Sequence, residues 1–299
     1  KEMFASAQAR VPQLREYLES LDAEDAENAE NGAQREVFAW VHLFEPHEPY
    51  EPAERFARGD SAEDRYDGEV AAVDDAIRQL VQVFREHRPG GTVVISADHG
   101  EEFGDHGGLY HGSTLYEEQV RIPLIWSTPG LVPARTLAAP VELVDVATTL
   151  LAALAIPRDA RMRGDDLGPL LVHGEGGPEF AFAEVGDARM VTDGVHKAIC
   201  ESDSNRCQLY DLGADPRERR NLAGEDPATL LRLREELGSF VGSIPRVEAL
   251  ALAGAQGWPE ALARAELGWT PSLRFEILAR RPDLAEGPEA AVVVADVDT

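Results

Sequence analysis

The chain has 299 residues, 43% of them hydrophobic, and sets 28 lysines and arginines against 55 aspartates and glutamates, a formal charge of −27. A field of that sign repels phosphate backbones and disfavours nucleic acid as a partner; it also repels an anionic substrate unless a metal or histidines make one site locally positive. No apolar run reaches membrane-spanning length, and the length allows one large core or two modest ones.

The opening, KEMFASAQARVPQLREYLES, places Leu14, Tyr17, Leu18 and Leu21 at helical spacing. It reads as the middle of a helix and suggests a fragment of a longer protein. Residues 22–30, DAEDAENAE, read as a solvated acidic loop or insertion. Residues 36–44, EVFAWVHLF, are rich in Val, Phe and Trp between polar flanks and read as a buried strand. The three prolines of EPHEPYEP forbid regular structure next. Residues 66–87 form the clearest helix, with Val70, Val73, Ile77, Leu80, Val81 and Phe84 on one stripe and RPGG as its stop. TVVIS, residues 92–96, reads as a short central strand. VRIPLIW reads as another strand, with Pro123 marking an irregularity or an edge. VELVDVATTLLAAL, residues 141–154, reads as a helix. Strand, helix, strand, loop, strand, helix is the rhythm of an α/β sheet.

The pattern changes after Gly174. EFAFAEV, ARMVTD, GVHKAIC and QLYDL are strand candidates, and PATLLRLREELGSFVG is a helix candidate, together a small antiparallel subdomain. The organisation expected is an α/β core over 1–174, the antiparallel subdomain with its helix over 175–243, and a helical, repeat-like tail over 244–299. Cys200 and Cys207 flank the turn-forming ESDSNR. Two readings stand for them: a disulfide across a hairpin, which implies an oxidising compartment, or two reduced, small, apolar residues.

The chemistry concentrates in ISADHGEEFGDHGGLYHGS, directly after TVVIS. In open α/β sheets, ligands gather at the carboxyl ends of strands. Asp98 offers a hard anionic oxygen and His99 an imidazole nitrogen, so adjacent on an irregular loop they can reach one divalent ion. DHG alone is a weak signal, since a strand-end Asp can simply cap a turn. His47 follows the other expected strand and lies between Pro46 and Pro49, which stiffen its loop. His111 can donate a hydrogen bond to a metal-bound anion or protonate a leaving oxygen. His106 reads as loop-stabilising.

These segments resemble, in order along the chain, the sulfatase family within the alkaline phosphatase-like superfamily. FAWVHLFEPHEPYEP resembles its strand and PHxPY loop, and YDGEVAAVDDAIRQL its helix before the metal strand. VVISADHGEEFGDHGGLYHGSTLYEEQVRIPLIW resembles its metal loop. PVELVDVATTLLAAL with RMRGDDLGPLL resembles the helix and loop that follow, and KAIC through QLYDLGADPRERRNLAGEDP the closing subdomain. The resemblance spans about residues 36–240. It implies a partial alkaline phosphatase-like mixed sheet flanked by helices, with the antiparallel subdomain and helical tail beside it. It implies Asp98 and His99 as ligands of one divalent cation, Ca²⁺ or Mg²⁺ foremost and Mn²⁺ or Zn²⁺ next. It implies His47 and His111 as the residues touching the sulfate or phosphate group, with His111 standing where the family has a lysine or a histidine. Glu45 stands where Asp is more usual.

Two family features have no match in the sequence. One is a pair of further acidic ligands near the amino terminus. The other is the C/S-x-P-x-R motif, whose Cys or Ser matures to formylglycine; SIPRV at Ser243 and TPSLR at Thr270 both depart from it. The resemblance therefore implies hydrolysis of an anionic small-molecule or glycan sulfate ester by a complete enzyme with formylglycine upstream, inactivity of these 299 residues alone, and periplasmic or extracellular residence. The rivals are a phosphoesterase or phosphotransferase of the same superfamily, and a degenerate binding or scaffold module.

Overall fold

The computed structural model describes residues 6–28, 36–159, 162–201, 206–243, 249–251 and 293–295. It divides into two compact units, Lys1–Thr136 and Leu137–Thr299.

The first unit is built on two packed helices. Helix α1 (Ala7–Asn28) lays Leu14 and Leu18 against Leu80 and Val83 of α2 (Ala62–His87), with Val11, Val37, Leu43 and Phe84 around them. Burying each such side chain contributes about 1.5–3 kcal/mol. The acidic stretch expected to be a loop is instead helical through residue 28. Alanine and glutamate favour the helix, and Asp22 is held there by His87 Nδ1 at 2.6 Å and Arg88 Nη1 at 2.7 Å from the end of α2. Helix α2 starts with a capping box: Ser61 accepts from the Asp64 amide, and the Asp64 carboxylate accepts from the Ser61 amide. Its buried face is Gly68, Glu69, Ala76, Leu80 and Val83. Val70, from the expected stripe, is 42% exposed.

Residues 36–44 are not a buried strand. The segment is irregular, and Phe38 and Trp40 are 73% and 80% exposed. Apolar composition reports a preference for burial; a strand also needs a neighbour to accept its hydrogen bonds, and no ladder partner occurs among the described residues. Likewise β1 (Val93–Ser96), expected to be central, pairs with one neighbour, antiparallel β4 (Leu124–Ser127), in the register Val93↔Ser127. Strand β4 begins directly after Pro123, where a missing amide does no harm. Between these strands lie the hairpin of β2 (Glu102–Phe103) and β3 (Leu109–Tyr110) and the short helix α3 (Glu117–Val120).

The second unit carries α4 (Leu143–Ala153), α5 (Gly168–His173) and a four-stranded antiparallel sheet. The strands are β5 (Ala181–Val185), β6 (Ala188–Thr192), β7 (His196–Glu201) and β8 (Cys207–Asp211), in chain order across the sheet. Val191, Ala198 and Leu209 stand side by side on neighbouring strands and bury one face against Leu233 and Leu237 of α6 (Pro227–Gly242). On β7 the residue before Ala198, Lys197, points to the opposite face; there it meets Glu218 at 2.9 Å, both side chains without solvent exposure. Cys200 and Cys207 are direct cross-strand partners and form a disulfide, which settles the two readings of that pair. Strands β9 (Ala249–Ala251) and β10 (Val293–Ala295) pair antiparallel. Apart from these strands, the helical tail expected over 244–299, and Thr270 within it, lie outside the described residues. Among the described residues no helix is long and apolar enough to cross a membrane.

Candidate active site

The site lies in the first unit, where the loop after β1 meets the proline-rich loop before α2. Gly100 and Glu101 donate their amides to the carbonyls of Gln119 and Glu118, both at 2.8 Å. This pins the DHG turn against α3. A Cβ at Gly100 would overlap the Glu118 carbonyl, so this position needs glycine.

Three of the histidines singled out from the sequence come together. His111 stacks on His99 with ring centroids 4.0 Å apart and meets the edge of His47 at 5.6 Å. Phe44 stacks on His47 at 4.5 Å. His111 sits between two left-handed residues, Tyr110 at φ 70° and Gly112 at φ 74°. A tyrosine there is strained, so its surroundings fix it firmly. Asp98 is next to His99, with Oδ2 3.7 Å from His99 Nε2, and its side chain is 78% exposed.

The hydrogen bonds of the rings set which nitrogen faces outward. His99 Nδ1 lies 2.8 Å from the Gly100 carbonyl, and His47 Nδ1 lies 2.9 Å from the Glu48 carbonyl. A carbonyl only accepts, so Nδ1 carries the proton in both and Nε2 is left for a ligand. Anchoring the far nitrogen in this way is what metal-ligating histidines require. Asp98 Oδ2 and His99 Nε2 thus fit the donor chemistry of a divalent cation, as two ligands of a larger set.

Several residues of the site were not read from the sequence as functional. Glu101, its side chain 3% exposed, accepts from the Tyr50 hydroxyl at 2.7 Å through Oε2 and faces His111 Nδ1 at 3.1 Å through Oε1. Burial first, then the hydrogen bond and charge of Glu101, push the Tyr50 phenol far above its ordinary range, so it remains a donor. Glu48, Glu101 and His111 bring ligand atoms within 4.8 Å of one another, a second group able to hold a cation. Glu69 of α2 accepts from the Glu51 amide at 2.7 Å and so ties the proline-rich loop to the helix; burial raises its carboxyl, partly offset by the amides of Glu51 and His47. The signals lay in plain view: Glu101 follows DHG directly, and Tyr50 and Glu48 belong to the same PHEPY that yields His47. Nothing in sequence spacing says that these two loops touch.

His106 does not join the three. Its Nδ1 pairs with Glu118 at 2.6 Å and its ring stacks on Tyr116 at 3.6 Å. Beneath it, Glu102 accepts from the amides of Gly108 at 2.7 Å and His106 at 3.0 Å and from the Gln119 side chain at 2.8 Å. Burial raises the Glu102 carboxyl, but these donors together with the charge of His106 outweigh it and hold the group below its ordinary range.

A mixed α/β chain with a histidine-lined DHG loop at a strand end defines a class, and comparison with known proteins gives it a family. Residues 5–156 match the Sulfatase family model, and residues 104–239 match that of the N-sulphoglucosamine sulphohydrolase C-terminal region. The chain belongs to the sulfatase family. It is 32% identical over 178 residues to arylsulfatase K of Xenopus laevis, covering 52% of this chain and 32% of that protein. It is 31% identical over 154 residues to the Delta 4,5-hexuronate-2-O-sulfatase of Bacteroides thetaiotaomicron, covering 45% and 31%. The chain thus spans about a third of the length of these relatives. In fold it is similar to a protein solved in work on glycosaminoglycan metabolism by Bacteroides thetaiotaomicron, at TM-score 0.63 and 17% identity over 92% of this chain and 62% of that one. It is also similar to the phosphonate monoester hydrolase of Agrobacterium radiobacter, at TM-score 0.53 and 23% identity over 60% and 41%. These likenesses establish an alkaline phosphatase-like fold covered in part.

Proposed function

We propose that this chain carries the carboxyl-terminal side of a sulfatase active site, whose reaction is the metal-dependent hydrolysis of a sulfate ester. The observation that carries the proposal is the meeting of His47, His99 and His111 beside Asp98 in a chain of the sulfatase family. Asp98 and His99 hold the cation; a carboxylate suits Ca²⁺ or Mg²⁺, and the imidazole tilts the choice toward Mn²⁺ or Zn²⁺. The cation, when bound, supplies polarisation of a sulfuryl oxygen. His47 and His111 bind the transferred group, neutralise charge that builds on its oxygens, and deliver a proton to the leaving alcohol. In a chain of charge −27 they also make the site locally attractive to an anion.

The 299 residues contain no C/S-x-P-x-R pattern, so the formylglycine nucleophile belongs to sequence outside them. The substrate class that fits is a sulfated sugar, in keeping with the hexuronate 2-O-sulfatase activity of the Bacteroides relative. The Cys200–Cys207 disulfide favours an oxidising compartment, periplasmic or extracellular. A phosphate or phosphonate ester is the second reading. It is supported by the likeness in fold to the phosphonate monoester hydrolase and by the shared tetrahedral shape of sulfuryl and phosphoryl groups.

The test has two parts. Calorimetric titration of the chain with each of the four cations is expected to show weak binding that Asp98→Asn and His99→Ala abolish; binding untouched by both removes these residues as ligands. Aryl sulfate and aryl phosphonate are then offered to the chain alone and to the chain extended by its upstream reading frame. Turnover is expected from the extended protein, with sulfate preferred. Metal-dependent turnover by the 299 residues alone would refute the shared-site reading.

A further inference from the structure

The proton partner of His111 is the part of the site that no role yet accounts for. His99 is oriented by a backbone carbonyl and His47 by the Glu48 carbonyl, with the half-exposed Glu48 carboxylate also 3.1 Å from its Nδ1, whereas the carboxylate facing His111 is buried. That carboxylate is itself fixed. Glu101 is buried, its amide is bonded to the Glu118 carbonyl, and its second oxygen takes the Tyr50 hydroxyl at 2.7 Å. Tyr50 in turn is wedged by ring contacts with Tyr66 at 5.6 Å and Phe103 at 5.9 Å. A proline-rich loop, a helix and a hairpin therefore converge on one carboxylate, and His111 is the basic side chain it meets among the described residues.

We propose that Glu101, held by Tyr50, is a positioning residue that locks His111 as the Nδ1–H tautomer and so presents Nε2 to the transferred group. An ionised carboxylate only accepts hydrogen bonds, and at 3.1 Å the one hydrogen that can lie between it and His111 is the imidazole's own. With Oε2 engaged by Tyr50, Oε1 cannot swing away from the ring. The role rests on the sulfatase reading for what Nε2 touches; the tautomer itself does not depend on that reading. Where a lysine in this place would bring a permanent charge on a flexible stem, His111 brings a planar group whose reactive atom is chosen by its neighbour.

Long-range ¹H–¹⁵N correlation of the imidazole rings in the uniformly labelled chain tests this, at a pH above the histidine titrations, with His111→Asn to assign the signals. The expected result is a pyrrole-like Nδ1 and a pyridine-like Nε2 for His111. Glu101→Ala is expected to invert the ratio toward the Nε2–H form that free imidazole side chains prefer. Tyr50→Phe, which keeps the ring and removes one hydroxyl, is expected to move it part of the way. An Nε2–H tautomer in the unmodified chain, or a ratio unchanged in Glu101→Ala, overturns the proposal, and a ratio unchanged in Tyr50→Phe removes Tyr50 from it. If Glu101→Ala does not fold, the unmodified chain and Tyr50→Phe still decide. A correct tautomer in a protein that hydrolyses no sulfate ester when extended would sink the functional reading and leave this one standing.

Discussion

Glu102 has no solvent exposure yet keeps its charge, because four donors surround it, the amides of His106 and Gly108, the Gln119 side chain and, at 3.5 Å, the Thr114 hydroxyl. Its folded-state pKa is lowered, so its stabilising contribution is complete above the ordinary glutamate range, about 4.3, and is lost as pH falls through the lower folded value. Glu102→Gln would turn an amide NH₂ toward the donating Gln119 amide and leave one donor without an acceptor. The expected loss is about 2 kcal/mol at neutral pH, and the gap to the unmodified protein should narrow in acid. Denaturant melts from neutral pH down to about pH 3, below the ordinary glutamate range, check this; a gap that stays constant would show that charge is not the cause. Glu102 also shows what spacing cannot tell. It and Glu101 are adjacent in sequence and chemically identical. One braces the hairpin and the other faces the histidines, and only the alternation of a strand turning into a loop separates them.

At the scale of elements, the long helices, the antiparallel subdomain and the strands β1 and β4 were legible; the pairing of β1 and the state of residues 36–44 were not. Helix α2 carries its own start in Ser61 and Asp64 and its own stop after His87, so local chemistry suffices. Strands β5 to β8 are joined in sequence order, and each finds its partner next along the chain. Residues 36–44 have strand composition without a strand partner, and β1 was read as central because its residues are apolar. The hairpin of β7 and β8 adds a covalent tie. The disulfide closes a loop of sequence separation 7, for which the chain-entropy model gives roughly 2.5 kcal/mol. The Cys200→Ser/Cys207→Ser double variant is expected to unfold at lower denaturant by that amount, and the unmodified protein under reductant should match it. Equal midpoints for the oxidised protein and the variant would contradict a stabilising role.

For the molecule as a whole, a charge of −27 is the dominant long-range property. Like charges spread over the surface repel one another and favour expanded states, and salt screens them over about 8–10 Å at physiological ionic strength. Thermal stability is therefore expected to rise as sodium chloride is raised from about 0.01 M to about 0.15 M; a melting temperature that falls would show that ion pairs such as those of Asp22 with His87 and Arg88 outweigh the repulsion.

The amino-acid sequence by itself determined the helices, the antiparallel subdomain, the family, and the four residues Asp98, His99, His47 and His111 as candidates, because capping, periodicity and short motifs are written in contiguous residues. The tertiary structure alone decided that the PHEPY and DHG loops meet, that Glu101 and Tyr50 stand behind His111, that Cys200 and Cys207 are bonded, and that Phe38 and Trp40 face outward. The first three are contacts between residues brought together by packing and strand register, the last is the absence of a strand partner for residues 36–44 among the described residues, and distance along a chain does not encode distance in space.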